Sequence, residues 1–406
     1  MKLFSVLTLV LVGTLGASAA DIDVTIVGGK QDVTNAVVTI PLPADVDASA
    51  LKSGVAFLTA DGTKLVGQIS KPGLFSDAKT AEATVVVPEL KAGQKLPIKI
   101  RIGGEATKPA FEWGTVNGLE LLSHYNKPLL QYFHKPYDAK ATPAKAPIGN
   151  PTTKPFHHLY APDGKTILTN TNEGQYPHHR GIYWGFNKVS YDGKTADIWH
   201  CRNGEHTAHE KVLDTAAGDL FGRHKLLINW IGQDGKQFAT ENREVTVFNM
   251  PGGKLIEFDS LVTTPLDKVR LDGDPQHAGF HFRANSQMET NPKETFFIRP
   301  DGKGKPGEER NWTAKGGGPV NLSWNAMSFM LDGKRYTAVY LDHPDNPKEA
   351  RQSERAYGRI GTYFEYDLTK EKPLKVRYRL WVQEGEPTPE QCAALSSAFA
   401  NTVSAK

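Results

Sequence analysis

The chain of 406 residues contains only two cysteines and little excess charge, with a formal net charge of +3 at pH 7. Two cysteines cannot build the dense disulfide framework of a small secreted domain. Positive and negative charges so nearly in balance give no concentrated basic surface, and nucleic acid is therefore not an expected partner. The sequence also lacks Gly-x-Ser-x-Gly, His-Glu-x-x-His, Cys-x-x-Cys, a phosphate-binding glycine-rich loop and a calcium-binding loop. No enzyme class that these motifs define is indicated.

Long apolar runs are missing as well, except at the N-terminus. Lys2, the apolar stretch from Leu3 to Leu15 and the small residues Ala17-Ser18-Ala19 match a signal peptide over residues 1–20. The apolar stretch is shorter than the roughly 20 residues of a membrane-spanning helix. We expect a mature protein that begins near Ala20 or Asp21, has no membrane span, and is periplasmic or extracellular.

The two cysteines are Cys201 and Cys392. In an oxidising compartment they could pair, but sequence does not show whether they come within disulfide range. Two inert thiols are an alternative. A chemical role is a third, because Cys201 directly follows His200.

The region from residue 21 to 105 contains short apolar runs separated by turn signals such as Asp61-Gly62. This spacing predicts a small N-terminal β-sandwich domain. The predicted strands are Val24 to Val27, Ala36 to Ile40, Val55 to Leu58, Ala83 to Val87 and Pro97 to Ile102.

Residues 109–385 alternate apolar and polar side chains between recurring Asp-Gly and Asn-Gly pairs, which favour tight turns. No long segment with helical periodicity intervenes, so a large antiparallel β-sandwich is predicted for this region, which we expect to be the catalytic domain. Its clearest strands are Leu226 to Ile231, Arg243 to Phe248, Leu255 to Val262, Ala338 to Leu341 and Val376 to Val382. In residues 386–406, Thr388-Pro389-Glu390-Gln391 predicts the N-cap and first turn of a short C-terminal helix.

All thirteen histidines lie between His124 and His343. Histidine exchanges protons near neutral pH, and its neutral form binds metals. In a strand, His281 and Arg283 share one face with His277, while Phe280 and Phe282 occupy the other. This pattern predicts a polar floor over an apolar core, suited to an anionic or hydroxyl-rich ligand.

Adjacent side chains diverge in an extended segment, so we expect only one ring of the pair His178 and His179 to point into a site. We favour His179, with Arg180 beside it. All seven tryptophans lie in the second region, and Trp184 and Trp199 adjoin histidine clusters. Aromatic faces stack on the C–H faces of sugars, which makes these two the predicted ligand platforms.

Three segments resemble the bacterial family named "methane oxygenase PmoA", a domain of unknown function. They are Tyr-Pro-His-His-Arg-Gly-Ile-Tyr-Trp-Gly at 176–185, His-Ala-Gly-Phe-His-Phe-Arg-Ala at 277–284, and Val-Tyr-Leu-Asp-His-Pro-Asp-Asn-Pro at 339–347, followed by Tyr357-Gly358. The resemblance covers roughly residues 109–385 and implies a galactose-mutarotase-like supersandwich, a fold frequent in carbohydrate-active enzymes. The name is not taken as the activity, because a particulate methane monooxygenase subunit spans a membrane.

The leading hypothesis is an exported carbohydrate-active enzyme, either a glycoside-cleaving lyase or hydrolase or a sugar epimerase. His179 and His281 would exchange protons with the sugar, and Glu354 or Tyr357 would supply a second acid or base. The predicted substrate-binding residues are Arg180, Trp184, Trp199, Arg283, His343 and Arg355.

Two alternatives remain open at this point. One is a carbohydrate-binding protein without catalysis on the same scaffold. The other is a metal-dependent oxidoreductase, in which a divalent metal is held by histidines from separate strands. The candidate ligands are His178, His200, His209 and His277.

Overall fold

The computed structural model describes residues 20–46, 54–103, 108–141, 149–401 and 403–405. The predicted signal peptide lies outside these residues, apart from Ala20. Within them, no helix combines the length and the apolar character needed to cross a membrane. The division into domains at residues 105–109 stays a prediction.

The first six strands form a curled antiparallel sheet that encloses its own apolar core. These strands are β1 (Ala20–Val27), β2 (Val33–Pro41), β3 (Val55–Thr59), β4 (Lys64–Ser70), β5 (Glu82–Leu90) and β6 (Lys95–Ile102). Five of them contain the runs predicted from the sequence. The sequence did not reveal β4, because Gly67 interrupts its pattern. Phe57 packs over that glycine, and a Cβ there would lie 2.5 Å from the Phe57 ring.

The rest of the chain is also built from antiparallel strands, so the predicted all-β fold with one short C-terminal helix is confirmed. The first group of strands is β7 (Phe111–Val116), β8 (Leu119–His124), β9 (Lys127–Phe133), β10 (Phe156–Leu159), β11 (Ile182–Phe186), β12 (Lys188–Tyr191), β13 (Lys194–Ala196), β14 (His206–Ala217), β15 (Phe221–Ile231), β16 (Gln237–Met250) and β17 (Gly253–Thr263). The second group is β18 (Val269–Asp272), β19 (Ala278–Arg283), β20 (Phe296–Arg299), β21 (Gly302–Lys303), β22 (Trp324–Leu331), β23 (Lys334–Asp342), β24 (Arg351–Arg355), β25 (Arg359–Tyr363), β26 (Tyr366–Leu368), β27 (Leu374–Glu384) and, after the helix, β28 (Ser404–Ala405). Short 3-10 turns occur at Ala139–Ala141, Ser286–Glu289 and Pro292–Glu294.

Two large sheets pack face to face in this part of the chain. One has the order β24-β25-β19-β11-β10-β9-β8-β7, and the other has the order β14-β15-β16-β17-β27-β23-β22-β20-β21. Both contribute to one continuous apolar core, in which Phe280 and Phe282 of β19 meet Phe258 of β17 and Phe329 of β22. The predicted large antiparallel sandwich is therefore present. A smaller sheet, β13-β12-β18-β26, flanks it.

Strand alternation gives the eight-stranded sheet a second face, directed away from this core. His281 and Arg283 lie on that outer face of β19, opposite Phe280 and Phe282, as the period of two predicted. A small aromatic cluster of Phe156, Tyr183 and Trp199 packs on the same face. Loops cover the face, so its polar side chains are buried rather than solvated.

The C-terminal helix, α1 (Pro389–Ala400), begins as predicted. The Thr388 side chain accepts the Gln391 backbone N–H, and the Gln391 side chain accepts the Thr388 backbone N–H in return. Cys392 and Phe399 on the helix belong to a core cluster with residues of β22, β23 and β27. Cys392 and Cys201 are both buried and free, so they form no disulfide.

Candidate functional site

Three loops bring histidines together over the outer face of the eight-stranded sheet. The loop before β11 carries His178 and His179, the loop after β13 carries His200, and the loop before β19 carries His277. Each loop is fixed by local hydrogen bonds. The first loop re-enters the sheet at Gly181, where a Cβ would lie 2.2 Å from the His157 carbonyl oxygen, so only glycine fits there.

His178 and His179 both point into the same cluster, which corrects the prediction that adjacent rings diverge. The segment is not extended: it forms a turn in which the His179 N–H donates to the Tyr176 carbonyl at 3.1 Å. The two ring centroids are therefore only 4.2 Å apart. Asn170 holds the turn, since its side-chain amide donates to the His179 carbonyl at 3.0 Å.

His277 and His200 are each backed by an aspartate three residues earlier in the chain. Nδ1 of His277 lies 3.0 Å from Oδ1 of Asp274, and Nδ1 of His200 lies 2.7 Å from Oδ2 of Asp197. An ionised carboxylate only accepts hydrogen bonds, so both Nδ1 atoms carry the proton. When these rings are neutral, their Nε2 atoms have a free lone pair. Carboxylate–histidine pairs of this kind orient metal ligands.

The histidine cluster is formed by His178, His179, His200 and His277, and each ring contacts at least two of the others. His277 lies 5.4 Å from His178, 5.2 Å from His179 and 4.5 Å from His200, measured between ring centroids. His178, His179 and His277 each offer a nitrogen, and these three nitrogens lie within 4.8 Å of one another. Three histidines around one ion are a ligand set that zinc accepts in proteins.

Two of these imidazoles have nitrogens without a partner. Nδ1 of His178 and Nδ1 of His179 are buried, and no hydrogen-bonding atom among the described residues reaches either of them. An unsatisfied buried polar atom costs about 1–3 kcal/mol. Such atoms commonly bind a water or an ion. These residues therefore fit a metal for two reasons. Imidazole nitrogens are suitable ligands, and the Nδ1 atoms of His178 and His179 have no other hydrogen-bonding partner among the described residues.

Burial keeps the rings of His178, His179 and His277 neutral. Desolvation lowers the pKa of His178 below its ordinary value, and the nearby Lys154 side chain adds to the effect. The pKa of His179 is lowered well below its ordinary value, again mainly by desolvation. The pKa of His277 is lowered by desolvation despite the opposing effect of Asp274. Neutral imidazole is the form that binds a metal.

His281 lies beside the cluster, but its hydrogen bonding differs. Nη1 of Arg359, on the neighbouring strand β25, donates to Nδ1 of His281 at 3.0 Å. A guanidinium cannot accept, so the proton of neutral His281 is on Nε2. That Nε2 atom is buried and finds no acceptor among the described residues. His281 therefore offers a hydrogen-bond donor, whereas His277 and His200 offer lone pairs.

Aromatic side chains border the cluster on two sides. The ring of Trp199 lies 4.6 Å from His281 and 5.7 Å from His179. Tyr357 and Tyr176, both half-buried, stack with their centroids 4.3 Å apart, and Tyr357 lies 6.1 Å from His179. These two tyrosines are the partly exposed aromatic faces at the site.

Comparison with known sequences places the chain in a family. Residues 121–397 match the family described as "Family of unknown function (DUF6807)". The chain belongs to this family. This family match does not confirm the resemblance to the family named "methane oxygenase PmoA". No curated protein sequence matches the chain.

Among solved structures, a protein in glycosyl hydrolase family 38 from Enterococcus faecalis is similar, with a TM-score of 0.39 and 10% identity. The similarity covers 95% of this chain and 47% of that chain, so this chain spans about half the length of that protein. The function of the DUF6807 family is unknown, so membership does not assign an activity to this chain. The chemistry of the chain has to be inferred from its own residues.

Several predicted site residues lie within or against the histidine cluster. His178, His179, His200 and His277 belong to it, and His281, Tyr357 and Trp199 border it. Arg283 approaches it beneath Tyr357, with the guanidinium 4.8 Å from the ring centroid, and pairs with Glu289 at 2.5 Å. Arg180 is buried below the loop, where it donates to the Asn150 and Pro177 carbonyls.

Other predicted site residues are not brought to the cluster. Trp184 lies in the sandwich core on the other face of β11, where its Nε1–H donates to Glu241 at 2.9 Å. Glu354 is a buried partner of Arg299, at 2.6 Å, rather than a free acid. Arg355 pairs with Glu309 at 2.9 Å. His343 packs against Phe399 of the helix.

His209, predicted as a metal ligand, belongs to a different group. Its Nδ1 lies 3.2 Å from the Tyr132 hydroxyl, and its ring contacts His134 at 4.2 Å. His134 pairs with Glu120 at 2.6 Å. Strand β14 places His209 on the nine-stranded sheet, whereas the cluster lies over the eight-stranded sheet.

Three residues that complete the site were missed. Asp197 and Asp274 both stand in the pattern Asp-x-x-His, which occurs at 197–200 and 274–277 and is visible in the sequence. No sequence pattern of this kind marks Arg359. It reaches His281 only because β19 and β25 pair, with His281 opposite Gly361 and Arg283 opposite Arg359.

Proposed function

We propose that this protein is a metal-dependent, carbohydrate-active enzyme of the lyase or hydrolase type, with a divalent transition metal held by His178, His179 and His277. The observation that carries the proposal is the convergence of these three buried imidazoles, with their nitrogens within 4.8 Å of one another. His200, in contact with His178 and His277, is a fourth candidate ligand. Imidazole ligands suit zinc, copper, iron and nickel rather than calcium or magnesium.

The lowered pKa values of His178, His179 and His277 favour metal ligation over acid–base catalysis. A general base works best when its pKa lies near the working pH. The pKa of His179 is held well below neutrality by burial, so the isolated ring would be a weak proton acceptor at pH 7. We therefore assign His179 to the metal rather than to the substrate proton.

The remaining groups at the site suit the substrate side. When bound, the metal would polarise a substrate oxygen or lower the pKa of a bound water. His281 would donate a hydrogen bond through its Nε2–H, and the Tyr357 hydroxyl accepts from Nε of Arg359 at 3.3 Å. Tyr357 is thus available to hydrogen bond with a ligand at the rim.

A sugar substrate is supported by the aromatic border. The half-buried pair Tyr176 and Tyr357 presents aromatic surface next to polar donors, a combination that binds the C–H faces and hydroxyls of sugars. The resemblance described above points in the same direction. We further propose that the protein is exported, since the predicted signal peptide ends where β1 begins at Ala20.

The first experiment is metal analysis of the purified protein. The wild type should bind about one equivalent of zinc, copper, iron or nickel, and His277→Ala should lose most of it. His206→Ala is the matched control, because His206 is half-buried but stacks on Tyr137 away from the cluster. Equal metal content in wild type and His277→Ala would contradict the assignment of the ligands.

The second experiment is turnover of a panel of glycosides and free sugars, measured before and after metal removal with a chelator. We expect activity that disappears on chelation, returns on metal addition and is absent from His277→Ala. Turnover that survives complete removal of the metal would refute the metal-dependent proposal. Saturable glycan binding without any product would instead support the non-catalytic alternative.

A further inference from the structure

Arg359 is fully buried at the site, and no acidic side chain within the described ranges is its partner. Its three hydrogen bonds go to neutral groups: Nη1 donates to His281 at 3.0 Å, Nη2 to the Ser353 hydroxyl at 2.8 Å, and Nε to the Tyr357 hydroxyl at 3.3 Å. No carboxylate of the described part of the chain forms an ion pair with it. Burial lowers the pKa of Arg359, and the carboxylate of Asp274 is near enough to oppose this effect, but that carboxylate is hydrogen-bonded to His277.

This protein pairs its other large buried arginines with carboxylates, apart from Arg180. The buried pairs found in the described ranges are Arg223 with Glu82, Arg243 with Glu241, Arg283 with Glu289 and Arg299 with Glu354. Burial of an unpaired charge costs several kcal/mol. Arg359 and Arg180 are therefore the two exceptions, and of these Arg359 is the one hydrogen-bonded to His281 and Tyr357.

Two further buried basic side chains near the cluster form no ion pair with any acid that the structure describes. The Lys154 ammonium donates to the carbonyls of His178 and Trp199, and the Arg180 guanidinium donates only to carbonyls. The aspartates at the site, Asp197 and Asp274, are each engaged by an imidazole. The buried guanidinium groups of Arg359 and Arg180 thus give the site an excess of positive charge, which a bound metal would increase.

Two neutral donors also lack an acceptor there. The Trp199 Nε1–H and the His281 Nε2–H are buried, and neither donates to any atom of the described residues. The two rings are neighbours, with centroids 4.6 Å apart. A carboxylate consists only of acceptors and can take several donors at once.

We infer that the substrate of this site is an acidic sugar, such as a uronic or aldonic acid, whose carboxylate pairs with Arg359 and accepts hydrogen bonds from Trp199 and His281. The inference rests on the proposed function in taking the histidine cluster as the reacting centre. It adds the substrate class, because a neutral sugar would leave the Arg359 charge unbalanced. Tyr357, which is half-buried and bonded to Arg359, lies where the ligand would enter.

Matched ligand pairs test this inference. Calorimetry would measure binding of D-glucuronate against D-glucose, and of D-galacturonate against D-galactose, because the members of each pair differ mainly by the carboxylate. We expect at least one acid to bind at least tenfold more tightly than its neutral partner. Arg359→Gln should weaken acid binding about 30-fold or more, as loss of one partner of a buried charge pair does. Binding of the neutral sugar should change little.

Conservative variants keep the test valid if Arg359→Gln folds poorly. Trp199→Phe keeps an aromatic ring but removes the N–H, and it should weaken acid binding several-fold. Arg310→Ala is the control, because this exposed arginine pairs only with surface acids. If neither acid binds more tightly than its neutral partner, or if Arg359→Gln and Trp199→Phe both keep the preference, the inference is wrong.

Metal analysis of the same samples separates this inference from the proposed function. A protein that binds metal but does not prefer acids would overturn the inference alone. A protein that prefers acids through Arg359 but takes up no metal would overturn the metal centre and support the inference.

Discussion

The carboxylate of Asp274 lies against the imidazole of His277, with Nδ1 of the ring 3.0 Å and 3.1 Å from the two carboxylate oxygens. Asn187 fixes the carboxylate in turn, since its side-chain amide donates to Oδ2 at 2.7 Å. Burial would raise the pKa of Asp274, but the hydrogen bonds from His277, from the Gln276 backbone and from Asn187 lower it overall. The pair therefore holds Asp274 ionised and directs Nε2 of His277 away from it.

Asp274→Asn should reduce metal affinity by roughly 10- to 100-fold, the usual effect of removing a group that orients a metal ligand. The amide can no longer fix the proton on Nδ1 of His277 through a charged bond. Competition with a coloured chelator would measure the affinity. Asp267→Asn is the control, because Asp267 is exposed and pairs only with Lys370. Equal affinities in the two variants would count against a metal role for His277.

Gly361→Ala should destabilise the protein and displace His281. A Cβ at residue 361 would lie 2.1 Å from Cδ2 of His281 and 2.5 Å from the Phe280 carbonyl oxygen. Overpacking of this kind costs about 1–3 kcal/mol. Gly114→Ala provides the comparison, since a Cβ there meets no atom within 4 Å. Urea unfolding of both variants would measure the difference in stability. Equal unfolding midpoints would show that β25 accommodates the added Cβ without loss of stability.

Acidification should destabilise the protein between about pH 6.5 and pH 4. Burial lowers the pKa of His158 from 6.5 to about 4, and its Nδ1 lies 3.0 Å from the Thr169 hydroxyl. Within this pH window the unfolded chain binds the proton and the folded chain does not. The stabilisation is therefore complete above pH 6.5 and is lost as the pH falls toward 4.

For His158 alone, the loss is on the order of 3 kcal/mol. Urea unfolding at pH 7, 5.5 and 4.5 would measure it, and His158→Gln should show a shallower pH dependence. An identical pH dependence in wild type and variant would mean that His158 is not buried in its neutral form.

Glu241→Gln should destabilise the sandwich strongly without affecting the metal. The buried Glu241 carboxylate accepts from Trp184, Trp230 and Ser260 and pairs with Arg243 at 2.7 Å. Removal of one partner of a buried ion pair costs about 3–5 kcal/mol. Chemical unfolding and metal titration of the folded variant would test both expectations. Loss of metal binding in a folded Glu241→Gln protein would show that Trp184 belongs to the site after all.

The strands and the helix were largely predictable because their signals are local. Alternation placed Phe280 and Phe282 in the core and His281 on the outer face, and the Thr388 cap located the helix. The cluster was only partly predictable. His178 and His179 were misjudged because their turn depends on Asn170, eight or nine residues away in sequence.

Long-range partners account for the remaining errors. Trp184 looked like a ligand platform because it adjoins histidines, but the register of β11 directs it toward Glu241 in the core. Glu354 looked like a free acid because Arg299, its partner, lies 55 residues away. Arg359 became visible only when β25 was paired with β19. No local pattern contains such information.

X-ray absorption spectroscopy of the zinc-loaded protein tests the central claim most directly. If His178, His179 and His277 hold the ion, the spectrum should show at least three imidazole nitrogens at about 2.0–2.1 Å. His277→Ala should lose one of them. A coordination shell made of water and carboxylate oxygens, or a shell that is unchanged in His277→Ala, would contradict the histidine metal centre.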